Sequence, residues 1–63
     1  MKPNELIKIL DSGVVHNLTI CYCGGQIDVK PQNAPSELPD YEIVKLWADY
    51  RGDICILLAD GIA

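Results

Sequence analysis

The chain is short of basic charge. Five Lys and Arg residues stand against nine Asp and Glu, giving a net charge of −4 over 63 residues. A phosphate-backbone binder needs clustered cations, so direct nucleic-acid binding is not expected. Histidine is scarce as well, with His16 alone. No nucleophile motif surrounds it, and no glycine-rich phosphate loop precedes a helical segment. A chain this short has little room for an enclosed ligand pocket. The expectation is a protein that is not an enzyme and carries no cofactor. Long apolar runs are missing: the longest span a few residues, against roughly 20 for a membrane helix. Asn4 and Glu5 interrupt the opening MKPNELIKIL where a secretory signal would be apolar. Cysteine is odd in number, at three, and lacks a Cys-x-x-Cys spacing. Together these absences point to reduced thiols in a cytoplasm and to no membrane partner.

What remains is an ordinary globular composition, 49% hydrophobic and 22% charged, too apolar for disorder. The length allows one domain, residues 1–63. A domain of this size buries only about 60% of the surface its unfolded chain exposes. Disulfides, a metal or a partner chain commonly supply the rest.

Residues 2–12 read as a helix. Pro3 suits a first helical turn, Leu6, Ile7, Ile9 and Leu10 form an apolar stripe, and Gly13 stands where a left-handed closing residue is expected. Residues 17–30 read as a hairpin turning on Gly24-Gly25, a type I′ signal. That loop pairs Tyr22 with Ile27 and Ile20 with Val29. Alternation then gives one face to Leu18, Ile20, Tyr22, Ile27 and Val29, and the other to Thr19, Cys21, Cys23, Gln26, Asp28 and Lys30. Residues 31–40, PQNAPSELPD, form a connector whose three prolines exclude a ladder strand or an ordinary helix. Residues 41–58 read as a second hairpin. A three-residue Tyr50-Arg51-Gly52 loop groups Val44, Leu46 and Ala48 with Ile54, Ile56 and Leu58. Gly52 then takes the left-handed position such loops require. The opposite face carries Ile43, Lys45, Trp47, Asp49, Asp53, Cys55 and Leu57. The closing DGIA is expected to fray. The fold class expected is α+β: one N-terminal helix packed on a four-stranded antiparallel sheet made of two β-hairpins.

The second hairpin's uncovered face is the candidate site. Trp47 opposite Cys55, with Ile43 and Leu57 nearby, makes an apolar patch that no helix covers, and tryptophan is enriched at interface hot spots. Asp49 and Asp53 flank the adjoining turn. A close carboxylate pair can share a proton or hold a cation, but two acids on a hairpin tip also serve as solvated turn residues. Cys21, Cys23 and Cys55 are weak metal candidates. Zinc takes four ligands, commonly from paired spacings, and this set reads more simply as strand thiols. Arg51-Gly52-Asp53 spells an integrin-recognition tripeptide on the tip, yet the register already accounts for Gly52.

The stretch NELIKIL followed by paired hairpins ending in DYEIVKLWADYRGDICILLAD resembles small accessory proteins encoded by phages and prophages. The chain is similar to anti-CRISPR proteins in size and charge. The resemblance implies a bacterial cytoplasm and a protein that binds and inhibits a host protein, such as a nuclease or defence complex. Two alternatives stand beside it. One is a metal-stapled or thiol-dependent domain. The other is a structural subunit that self-associates, as a homodimer for instance, through Trp47 and its strand edges.

Overall fold

A computed structural model describes residues 1–11, 13–35 and 37–61. It contains α1 (Pro3–Ile9), β1 (Leu18–Tyr22), β2 (Gly25–Val29), β3 (Ile43–Ala48) and β4 (Ile54–Leu58), with 3₁₀ turns at Pro31–Asn33 and Ala59–Gly61. The fold is α+β, one short helix against one four-stranded sheet. The sheet is mixed, however, and not wholly antiparallel. Its order is β2-β1-β4-β3, and β1 runs parallel to β4, pairing Leu18 with Ile54 and Ile20 with Ile56. The connector takes the chain from one sheet edge to the other, and β4 then returns along β1. This order puts the two most buried strands in the centre.

The helix is shorter than its stripe suggested. Glu5 Oε1 accepts the Lys2 N–H at 3.0 Å, which satisfies one donor at the start. At the other end Leu10 is already extended, with φ −72° and ψ 135°. Gly13 does not take the left-handed conformation expected of it. The Asp11 side chain instead accepts the Gly13 N–H at 2.9 Å, and the Asp11 carbonyl accepts those of Val14 and Val15. This Asx-type turn competes with the helix for the same backbone groups. Ser12, at the end of the expected helix, lies outside the described residues. Ile9 is 67% exposed and drops out of the stripe, whereas Leu6 is buried.

The core is the sheet face under α1. Leu18, Ile20, Ile56 and Leu58 are fully buried, with Leu6, Val29 and Leu38 around them. Full burial of each such side chain stabilises the fold by about 1.5–3 kcal/mol. Leu38 brings the connector onto this face, beside the helix. Ser36 of that connector lies outside the described residues.

Both hairpins form, with one register corrected. In the first, Tyr22 pairs with Gly25 and Ile20 with Ile27, so the loop is Cys23-Gly24 and not Gly24-Gly25. Each β1 residue meets a β2 residue two positions earlier than expected. A shift of two preserves every side chain's face, so the core row of Leu18, Ile20, Tyr22, Ile27 and Val29 survives. The two glycines serve different ends. Gly25 has φ 127°, open to glycine alone at little cost. A Cβ on Gly24 would sit 2.8 Å from the Tyr22 ring.

The second hairpin follows the expected three-residue loop. Ala48 pairs with Ile54 and Trp47 with Cys55, and Gly52 has φ 85°. A bulge between Ile43 and Lys45 breaks the alternation. Ile43 therefore pairs with Leu58 and packs on the core, while Val44 is 43% exposed. This reverses the face expected for Ile43 and takes Val44 out of the core row. The Ala59 N–H is bonded to the Glu42 carbonyl at 2.9 Å, and the first two residues of the closing DGIA, Asp60 and Gly61, belong to the 3₁₀ turn Ala59–Gly61. Ile62 and Ala63 lie outside the described residues. Among the described residues no helix is long and apolar enough to cross a membrane.

Candidate functional site

The parallel β1–β4 pairing joins the outer faces of both hairpins into one surface. Following the registers across the sheet gives two rows. One runs Asp28, Thr19, Cys55, Trp47; the other runs Gln26, Cys21, Leu57, Lys45. Among the described residues no α-helix covers them, since α1 packs on the opposite face. Trp47 and Cys55 are opposed as expected, Leu57 lies on the same face, and Ile43 has left it.

The β1–β2 half of this surface is closed by its own hydrogen bonds. Lys30 Nζ donates to Asn17 Oδ1 at 3.4 Å, Asn17 Nδ2 donates to Thr19 Oγ1 at 3.2 Å, and Thr19 donates to Asp28 Oδ1 at 2.9 Å. Asn17 and Thr19 are both buried. The Asn17 carbonyl also accepts the Ile54 N–H at 3.3 Å, tying the start of β1 to β4. Sequence reading missed this chain because it spans Asn17 to Lys30, whose proximity depends on the register.

The β3–β4 half is different. Five of the six β3 residues are exposed, Trp47 at 43% and Leu46 at 53%. Leu46 lies on the helix-side face, paired with Ile56, yet the helix does not reach it. β3 thus shows apolar side chains on both faces. Its outer edge is partly free. The Asp49 N–H points inward to the carbonyl of Asp53, just ahead of β4, at 2.8 Å. By antiparallel alternation, Lys45 and Trp47 also bond inward, and Leu46 and Ala48 turn their N–H and C=O groups outward. The Ile54 N–H pointing away from β3, to Asn17, agrees with that phase. At the strand's start the edge is taken, because Ile43 N donates to the Met1 carbonyl at 2.8 Å. Ion pairs of the Met1 amine with Glu42 at 2.7 Å and of Lys2 with Asp40 at 3.2 Å hold this corner. The hydrogen bond between amine and carboxylate raises the pKa of the first and lowers that of the second.

Asp49 and Asp53 do not act as a pair. Asp49 Oδ1 accepts the N–H groups of Arg51 and Asp53 at 2.8 and 3.0 Å, and its Oδ2 accepts Arg51 Nη2 at 3.1 Å. Burial pushes the Asp49 carboxyl up, but the Arg51 and Asp53 donors outweigh it and hold the group below the usual range. Asp53 Oδ1 accepts the His16 N–H at 3.2 Å. The Arg51 guanidinium also lies 5.5 Å from the Tyr50 ring centre. Both charged members of the Arg-Gly-Asp tripeptide are therefore engaged within the chain, Arg51 by Asp49 on the same tip and Asp53 by the His16 N–H ahead of β1.

Cys21 and Cys55 are half-buried on the open face, and Cys23 is exposed in the first turn. Among the described residues no three His, Cys, Asp or Glu side chains converge as metal ligands would. A cleft of about 580 Å³ opens between α1 and the connector, lined by Asn4, Lys8, Gln32 and Asn33 among others. It lies apart from every candidate drawn from the sequence. No protein-family model, curated protein or solved structure matches the chain.

Proposed function

We propose that this chain is a non-enzymatic binding domain that docks a partner protein on its open sheet face. The observation that supports this most is Trp47, 43% exposed beside Cys55 and Leu57 on a face without a covering element. A tryptophan is costly to leave in water unless a surface meets it. The polar chain on the β1–β2 half supplies a fixed rim. The net charge of −4 suits a basic partner surface. In its specific form, the reading is a phage or mobile-element protein that inhibits a host nuclease or defence complex in a bacterial cytoplasm.

Affinity capture from a bacterial host extract tests it, with Leu57→Gln as the control. Leu57 lies on the open face of a central strand, away from the sheet's edges. The expected result is a protein retained by the wild type and lost with the variant, at unchanged circular dichroism. Equal retention by both would contradict docking on this face.

A further inference from the structure

We infer that the free edge of β3 takes a second copy of β3, antiparallel, with Trp47 on the two-fold axis. This goes beyond docking on the open face, since it concerns the sheet's edge and a different occupant. Four observations carry it. The outward-facing backbone groups belong to Leu46 and Ala48, fixed by the Asp49-to-Asp53 bond at one end and the Ile54-to-Asn17 bond beside it. The edge is bounded by Met1 at Ile43 and by the three-residue loop after Asp49. β3 shows Leu46 on one face and Trp47 on the other, both substantially exposed. Finally, the strand is complementary to itself when read backwards.

An antiparallel partner using both outward residues must set Leu46 against Ala48 of the second copy, and Ala48 against its Leu46. That register forms four backbone hydrogen bonds. It places Trp47 directly against Trp47 of the second copy, in a non-hydrogen-bonded pair, where side chains come closest. Cross-strand aromatic pairs are favourable there. It also sets Lys45 against Asp49 of the second copy, a pair of opposite charges on the same face. Among the described residues Lys45 stands in no salt bridge of its own chain. The alternative register, centred on Leu46, would need the bulge residue Val44 to pair, and it leaves Lys45 facing no acid. The assembly is a continuous eight-stranded sheet, with both tryptophans at its centre.

Sedimentation equilibrium of the full chain over a micromolar-to-millimolar range tests this. The wild type is expected to rise from 6.9 kDa towards twice that mass. Trp47 is the sole tryptophan, so its emission should shift to shorter wavelength over the same range. Ala48→Pro removes an outward N–H, which an edge strand tolerates, and should leave a folded monomer at all concentrations. Lys45→Glu changes no backbone bond, sets like charges opposite each other and should weaken the dimer by about tenfold. A wild type that stays at the monomer mass to millimolar concentration would overturn the inference. So would dimerisation unchanged in Lys45→Glu, which decides the matter if Ala48→Pro fails to fold. Both readings draw on the exposed Trp47, but capture is read with Leu57→Gln and self-association with Lys45→Glu, so each can fail without the other.

Discussion

On the β1–β2 hairpin the outer-face side chains of Asn17, Thr19, Asp28 and Lys30 are bonded in one chain, whereas on the β3–β4 hairpin Trp47 and Leu46 stand exposed on a strand with a partly free edge. The two edge strands are both open to water, but they are equipped differently. β2 carries Gln26 and Asp28 on its outer face, begins at a glycine, and Asp28 is engaged by Thr19. Such polar edges resist pairing with other chains. β3 has one charge, Lys45, among Ile43, Val44, Leu46, Trp47 and Ala48. The sheet is therefore finished at one side and unfinished at the other. The central strands β1 and β4 hold the core, and β3 is the edge strand with most of its side chains exposed, where the proposed second copy would add.

The largest expected effect separates centre from edge on a single face. Ile20 and Leu46 both lie on the helix side, but Ile20 is fully buried and Leu46 is 53% exposed. Ile20→Ala should cost about 2–5 kcal/mol in urea unfolding, a large part of the stability of a chain this short. Leu46→Ala, measured at micromolar concentration, should change it by less than about 0.5 kcal/mol. Similar costs at both sites would erase the contrast. Next comes the polar chain. Thr19→Val leaves the Asn17 amide and the Asp28 carboxylate without their shared hydroxyl, at a cost of about 1–3 kcal/mol. No change in the urea midpoint would show that this half is not held by its own hydrogen bonds. The smallest effect concerns the tip beside β3. Asp49 is held below the usual aspartate range in the folded chain. Its contribution should be complete above about pH 3.9 and fade as pH falls through the lower folded value. Thermal melts of wild type and Asp49→Asn should differ at pH 6 and converge in acid. A gap that widens as pH falls would reverse the assignment.

Much of this contrast was legible in the sequence, and the reasons for the remainder are physical. Alternation along NLTICY and IVKLWA separated the faces, and Gly52 in the left-handed position fixed the second loop and so set Trp47 against Cys55. The first loop slipped because adjacent glycines allow two placements that keep the same faces. The Tyr22 ring over Gly24 and the positive φ of Gly25 decide between them, and neither is a property of composition. The bulge was invisible because Ile43 and Val44 are both β-branched and apolar, so the pattern cannot say which one turns inward. Strand order lies further out of reach. A ten-residue connector can lead to either edge, and only packing of the whole sheet places β4 beside β1. With that order comes the joining of Thr19 to Cys55 and of Cys21 to Leu57, which made one surface of two.

The most direct measurement is amide hydrogen exchange, residue by residue, at two protein concentrations either side of the expected self-association. The Leu46 and Ala48 amides should exchange freely in dilute solution and become protected when concentrated, while the β2 amides exchange alike in both. Protection at Leu46 and Ala48 that does not depend on concentration, or a concentration effect confined to β2, would contradict an open β3 edge.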